Sequence, residues 1–319
     1  MDRYLITGFS GFVSRHFLEY LEMLKSPVCV LGIDINPPDF GLDRLNHVQS
    51  DFQKMDLLDR EGIEKIIFQF QPNYILHLAS YSSVAFSWEN PVISFQNNTN
   101  IFLNVLEAVH SINSGIRILS VGSSEEYGAL AGGNAIFHEE DALHPISPYA
   151  VARVSQEMLS KVYAKGYGLD IVMTRSFNHI GPGQKEIFVI SSFAKRLVEM
   201  KKGGVSSPKL MTGDISLIRD FVDVRDVVRA YDGLLKKGRK GEIYNICTGV
   251  GYSLKELVQQ MASILDMDVL TEVDERLIRP NDNKIIVGSN EKIRRDIGWT
   301  PEIPLRRSLK DVINFWNRQ

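Results

Sequence analysis

Cysteine is scarce: Cys29 and Cys247 are the only two among 319 residues. They lie far apart in apolar, strand-like surroundings, VCVLGI and YNICTG, which argues against a disulfide framework or a zinc site and fits buried thiols in a reducing compartment. No apolar run is long enough to span a bilayer, and the N-terminal MDRYLITG breaks at a glycine too early for a signal peptide. Neither sign of charge is in excess. Lys plus Arg number 36 against 39 Asp plus Glu, so a net charge of −3 and a pI of about 6.2 give no global field for nucleic acid or an acidic membrane. Low-complexity tracts and repeats are also missing. What remains is a globular composition, 44% hydrophobic and 24% charged, long enough for one large domain or two ordinary ones, with the cytoplasm as the expected compartment.

Short β-rich runs (RYLIT, VCVLGID, NYILHLA, IRILSVG, DIVMTRSF) alternate with segments of helical period, which implies βαβ units and a parallel sheet covered by helices on both faces. From Pro91 to Val109 the apolar residues Ile101, Phe102, Val105, Leu106 and Val109 form one stripe at three- and four-residue spacing, expected to pack in the core. Another helix is expected from Pro148 to about Lys165, capped by Ser147. Beyond Gly181 short strands mix with helices over Val222 to Leu235 and Ser253 to Leu265, and a smaller mixed domain is expected. Lys236, Lys237, Arg239 and Lys240 sit beside Gly238 and Gly241, and read as a solvated helix end rather than a binding patch.

The first strand ends at Thr7-Gly8-Phe9-Ser10-Gly11-Phe12-Val13-Ser14, directly before a helical stretch. Gly8 allows a tight turn and Gly11 lets backbone approach a pyrophosphate at a helix N-terminus. Asp34 closes the second strand 26 positions beyond Gly8, close to where a carboxylate meets the adenine ribose. An acid there accepts from both ribose hydroxyls and repels a 2′-phosphate, so NAD(H) is favoured over NADP(H). Asp56 follows a third strand-like stretch, and the small residues Ala79 and Ser80 end the next. At the other end of the site, GSSEEYG closes a strand and SPYAVAR opens a helix. Tyr149 can pass a proton to a carbonyl or alcohol while Ser123 hydrogen-bonds the same oxygen. A free tyrosine titrates near pH 10, and Arg153, one helical turn on, supplies a fixed positive charge on the same face.

Together, TGFSGF, Asp34, HLA, GSSEEYG, SPYAVAR, RSFNHIGPGQ and RDFVDVRD resemble the extended short-chain dehydrogenase/reductases, and within them the nucleotide-sugar-modifying enzymes. NHIGPGQ with GSSEEYG is most similar to the GDP-6-deoxy-4-keto-D-mannose reductases, which form GDP-D-rhamnose. The resemblance runs from Arg3 to about Trp316. It implies a Rossmann-type doubly wound parallel sheet over residues 1–178 and 223–248, and a smaller mixed α/β C-terminal substrate domain over 179–222 and 249–319. A homodimer built on a helix bundle is implied as well.

Carried over by position, the resemblance implies that Ser123, Tyr149, Arg153 and Glu125 are catalytic. The implied cofactor site comprises Gly8, Ser10, Gly11, Phe12, Val13, Asp34, Asp56, Leu57, Leu78, Ala79, Ser80, Asn98 and Val121, with Tyr149 and Arg153 at the nicotinamide ribose; Ser124, Glu125, Asn178, Arg219 and Arg279 would contact the GDP-sugar, and no metal is implied. This sequence departs from the family pattern in three places: Arg153 replaces the usual lysine, Ser14 the third glycine of the dinucleotide loop, and Ile101 a glycine after Asn98. The leading expectation is NADH-dependent reduction of a 4-keto-6-deoxyhexulose. Glu125 keeps open a 4,6-dehydratase or C4 epimerase with retained NAD, whereas Ser124 favours reduction. Arg153 and Ser14 keep open a cofactor- and sugar-nucleotide-binding protein without turnover.

Overall fold

The computed structural model describes residues 1–42, 45–112, 115–128, 136–278 and 283–319. In chain order the first half contains β1 (Asp2–Thr7), α1 (Phe12–Met23), β2 (Val28–Asp34), β3 (Val48–Lys54), α2 (Arg60–Phe70), β4 (Tyr74–His77), α3 (Val84–Glu89), α4 (Pro91–Ile112), β5 (Arg117–Ser123) and, after a 3-10 turn over Ser124–Tyr127, α5 (Pro148–Gly166). There follow β6 (Asp170–Ser176), β7 (Asn178–Ile180), α6 (Val189–Lys202), β8 (Lys209–Thr212), β9 (Ile218–Asp223), α7 (Val224–Lys237), β10 (Ile243–Ile246), β11 (Gly251–Ser253), α8 (Leu254–Ile264), β12 (Leu270–Val273), β13 (Ile285–Ile286), α9 (Glu291–Ile297) and α10 (Leu305–Arg318).

Seven strands form a wholly parallel sheet in the order β10-β6-β5-β4-β1-β2-β3. The order reverses between β1 and β4, so a crevice opens at the C-terminal strand ends, where doubly wound proteins bind ligands. Core side chains separate into two layers. Phe17 and Leu21 of α1 join Val227, Val228 and Tyr231 of α7 on one face, and Ile63, Phe102, Val105 and Tyr163 from α2, α4 and α5 cover the other. The α4 stripe lies in the second layer as its periodicity implies. The α5 helix starts where its chemistry dictates: Ser147 Oγ accepts the Ala150 N–H at 3.1 Å and Pro148 occupies the first turn.

The smaller unit holds β9 paired with β7, β11 and β13, a two-stranded β8–β12 sheet, and a core from α6, α8 and α10. Ile293 and Trp299, expected in this unit, instead pack with α7 in the core of the larger one. The motif RDFVDVRD ties the units together. Asp220 accepts the N–H groups of Thr248 and Gly249, each at 2.8 Å; Asp223 caps α7; Asp226 accepts from Glu302 and Ile303, both at 2.9 Å. Lys236 pairs with Asp232 at 3.0 Å, Arg239 with Asp296 at 3.1 Å, and Lys240 donates to the Gly168 carbonyl at 2.6 Å, so most of the basic cluster is engaged within the protein. Cys29 is half-buried rather than buried because it lies, like Leu31, on the less covered face of β2, whereas Cys247 is fully enclosed; both are free thiols. Among the described residues no helix is long and apolar enough to cross a membrane.

Candidate active site

A cleft of about 1460 Å³ runs from the β1–α1 loop across the sheet's C-terminal edge into the smaller unit. At one end lies the glycine loop. Gly8 has φ of +69°, and a Cβ on it would come within 2.6 Å of the Ala79 backbone nitrogen, so only glycine lets the loop settle against the end of β4. Ser14, in place of the third glycine, fits without crowding: it is fully buried and its hydroxyl donates to the Gly8 carbonyl at 3.2 Å. The α1 N-terminus has neither a side-chain cap nor an acidic residue in its first turn, and Gly11, Phe12 and Val13 line the cleft, which leaves helix N–H groups for an anion. Asp34 accepts the N–H groups of Ser10 and Asn36, both at 3.1 Å, so the carboxylate is fixed at the wall. Asp39 and Asp56 line the same end. These residues fit a dinucleotide: N–H donors for a pyrophosphate, and a held carboxylate one strand away for a ribose.

Ser123, Tyr149 and Arg153 all line this cleft. Arg153 is buried, and its Nε donates to the Tyr149 hydroxyl at 3.2 Å. The rest of the guanidinium donates to the Val121 carbonyl at 3.0 Å, to Gln156 Oε1 at 2.6 Å and to Ser80 Oγ. Gln156 is oriented in turn by donating to Ser120 Oγ at 2.9 Å and the Val121 carbonyl at 3.1 Å. The arginine thus bridges the ends of β4 and β5 beside the phenol. Ser123 Oγ accepts the Glu125 N–H at 3.3 Å, which uses a lone pair and leaves the hydroxyl proton to donate.

The far end is lined by Asn178, Arg196, Arg219 and Lys284, cationic and amide groups suited to a diphosphate. Arg219 is buried and donates to the Ile218 carbonyl at 2.9 Å. Arg279, expected here, lies outside the described residues. The other expected cofactor residues, Leu57, Leu78, Ala79, Ser80 and Val121, line the cleft, as does Glu125. Two expected contacts do not reach it. Asn98 is buried behind the wall, where its carboxamide accepts the Tyr81 N–H at 2.8 Å and donates to the Tyr81 carbonyl at 3.1 Å; it holds the cleft-lining Tyr81 rather than a ligand. Ser124 is buried because successive residues of a 3-10 turn point about 120° apart, so presenting Glu125 turns Ser124 inward. Ile101 fills core space and part of the cleft wall.

Motif reading missed several members of the site. Gln156 had a signal, since it stands three residues beyond Arg153 on the same helix face. Ser176 and His179 stand in the RSFNHIGPGQ motif, whereas Tyr231 carried no signal: it comes from α7 and meets Ser176 Oγ at 3.0 Å and His179 Nε2 at 3.3 Å at the cleft wall. Burial lowers His179 to about 4, so its ring is neutral at physiological pH.

This sheet, glycine loop and Ser-Tyr-Arg cluster define an NAD(P)-dependent oxidoreductase of the extended short-chain dehydrogenase/reductase type. The chain belongs to the GDP-mannose 4,6 dehydratase family, which it matches over residues 5–312. It is 32% identical to the GDP-6-deoxy-D-mannose reductase of Pseudomonas aeruginosa, over 99% of this chain and 97% of that protein. The structure of RMD from Pseudomonas aeruginosa complexed with NADPH superimposes with a TM-score of 0.86 at 31% identity, covering 100% of this chain and 99% of the other. A UDP-glucose 4-epimerase of Thermus thermophilus in complex with NAD gives 0.84 at 28% identity, with 98% of each chain covered. The cofactor is therefore a pyridine nucleotide, and the family comprises nucleotide-sugar dehydratases, reductases and epimerases.

Proposed function

We propose that the protein reduces the 4-keto group of a GDP-linked 6-deoxyhexulose, taking GDP-4-keto-6-deoxy-D-mannose to GDP-D-rhamnose, with NADH as the preferred reductant. The observation that carries this reading is the Arg153–Tyr149 hydrogen bond in a cleft that joins a dinucleotide loop to a wall of Asn178, Arg196 and Arg219. The likeness to a GDP-6-deoxy-D-mannose reductase supports the substrate. A nicotinamide dinucleotide held by the glycine loop and Asp34 would supply hydride for a carbonyl carbon.

The chain's residues manage the oxygen. Tyr149 accepts from Arg153 and so keeps its own proton for the forming alkoxide, Ser123 donates to the same oxygen, and the guanidinium stabilises the negative charge left on the phenol. Arg153 thus keeps a positive charge beside the phenol where the family pattern has lysine, which supports turnover over a binding-only role. Asp34, with Asp39 and Asp56 close by, disfavours a 2′-phosphate. Glu125 at the cleft wall favours a second reading, a 4,6-dehydratase or C4 epimerase that recycles its cofactor.

Two free cysteines suit the cytoplasm. Exposed Val92, Ile93 and Phe95 on α4, with Val151, Met158 and Val162 on the neighbouring α5, offer an apolar face for a homodimer. The test is a mixture of purified protein, freshly generated GDP-4-keto-6-deoxy-D-mannose and NADH or NADPH. Stoichiometric loss of reduced cofactor, faster with NADH, supports the reductase; conversion of GDP-sugar with no net cofactor change supports the second reading.

A further inference from the structure

We infer that Glu126, which touches neither cofactor nor substrate, is a positioning residue that acts as a neutral carboxylic acid, joining the strand end that carries Ser123 to the helix that carries Tyr149 and Arg153. The inference rests on the reading of Ser123 and Tyr149 given above; Glu126 lies within GSSEEYG, but the resemblance assigns it no role.

Its carboxyl is completely buried beneath the catalytic turn. Oε1 accepts the Ser123 N–H at 2.6 Å, closing a capping box with the Ser123 side chain. The fit is tight. A Cβ on Gly122 would lie 2.4 Å from that same oxygen, so the glycine of GSSEEYG makes room for the acid. Among the described residues no donor is directed at the buried Oε2. A carboxylate oxygen in that position would be costly, whereas a protonated one needs only an acceptor.

The acceptor available to that proton is Glu157, buried on α5, the helix that packs against this turn. Glu157 is held as an anion by Arg175, whose Nε and Nη2 donate to it at 2.8 and 3.0 Å, and by Lys161 at 2.8 Å. Burial opposes ionisation of Glu157, but these cations keep it below the ordinary carboxylate range. The charged and titratable surroundings are therefore Glu157 and Lys161 from α5 and Arg175 from β6. Tyr127, from the turn itself, has its ring 4.7 Å under the Arg175 guanidinium. Glu139 completes the set: its carbonyl accepts from Arg175 at 3.1 Å and its carboxylate from the Asn245 N–H at 2.8 Å. With both cations committed to Glu157, burial first and the Glu157 charge second raise Glu126 far above an ordinary glutamate.

With its proton, Glu126 donates to Glu157 and draws α5 toward the end of β5. Without it, two carboxylates oppose each other in a buried seam and push the helix bearing Tyr149 from the strand bearing Ser123. The test compares wild type with Glu126→Gln, whose amide keeps both the acceptor and the donor, and Glu126→Val, which keeps neither. Two readouts are used: ¹³C NMR of side-chain-labelled glutamate, and the pH profile of kcat. One carboxyl resonance in wild type is expected to titrate in the neutral-to-alkaline range and to vanish in Glu126→Gln. Glu126→Gln is expected to hold kcat within about 3-fold at pH 7 and to lose the part of the alkaline fall due to this group. Glu126→Val is expected to lower kcat about 10–100-fold with KM little changed.

The inference is overturned if no glutamate resonance titrates in that range, if Glu126→Gln keeps the wild-type profile, or if folded Glu126→Val turns over like wild type. Should Glu126→Val not fold, Glu126→Gln alone decides. The NMR arm needs no turnover, so absence of keto reduction would defeat the proposed function and leave this inference to stand or fall on the resonance.

Discussion

Arg153 Nε lies 3.2 Å from the Tyr149 hydroxyl, one helical turn away, and the guanidinium reaches past it to the ends of two neighbouring strands. Tyrosine, arginine and strand ends form one unit, in which the arginine both charges the phenol's surroundings and fixes its place. Tyr149→Phe is accordingly expected to lower kcat at least about 100-fold, with NADH affinity changed by less than about 3-fold in a fluorescence titration. Equal activity in that variant would remove Tyr149 as the proton donor.

Substitutions at 153 separate charge from geometry. Arg153→Lys keeps the charge and three donors, and is expected to retain kcat within about 10-fold; Arg153→Met loses both and is expected to cost about 100-fold or more. Steady-state kinetics of the pair decide this. Similar rates for Lys and Met would mean that the charge does not matter.

Much of this arrangement is written locally. The α4 stripe, the Ser147–Pro148 start of α5 and the spacing from Tyr149 to Arg153 each depend on residues within a few turns of one another, so periodicity and capping chemistry expose them. Asn98 and Ser124 escape such a reading: Asn98 is consumed by the Tyr81 backbone 17 residues away, and Ser124 is turned inward by a single 3-10 turn, too short to show a period in the sequence. Tyr231 at the cleft wall, and Ile293 and Trp299 in the larger unit's core, follow from long-range packing that no motif records.

Cofactor choice is tested at Asp34. Its carboxylate already holds two backbone N–H groups, and Asn in its place keeps an acceptor without the charge. Asp34→Asn is expected to raise the NADPH-to-NADH ratio of kcat/KM by about 10-fold, the order of 1.4 kcal/mol. An unchanged ratio would show that Asp34 does not set the preference.

The dinucleotide loop has a steric test. Gly8→Ala forces φ of +69° on a residue with a Cβ and drives that Cβ to 2.6 Å from the Ala79 nitrogen. Loss of about 1–3 kcal/mol of stability is expected by denaturant titration, with weaker NADH binding. A variant as stable as wild type would mean the loop does not rest on β4.

Acid sensitivity follows from His77. The ring is fully buried against Phe102, and burial, followed by the nearby Arg153 charge, lowers it to about 3. Below its ordinary value of 6.5 the unfolded chain takes up a proton that the folded one refuses. The histidine's contribution is therefore complete above pH 6.5 and falls as pH drops toward 3, by about 1.4 kcal/mol per pH unit. His179 adds a loss of the same sign. Denaturation midpoints between pH 7 and pH 4 measure it, and a His77→Gln variant is expected to flatten the slope. An equal slope in that variant would assign the acid loss elsewhere.

The most direct test of the central claim is to follow hydride by label. With NADH carrying deuterium at the transferred position and GDP-4-keto-6-deoxy-D-mannose as substrate, NMR and mass spectrometry of the sugar are expected to show one deuterium at C4 of a GDP-6-deoxyhexose for each NADH consumed. An altered GDP-sugar without that label, and without net consumption of NADH, would contradict the account and make the protein an enzyme that recycles its cofactor.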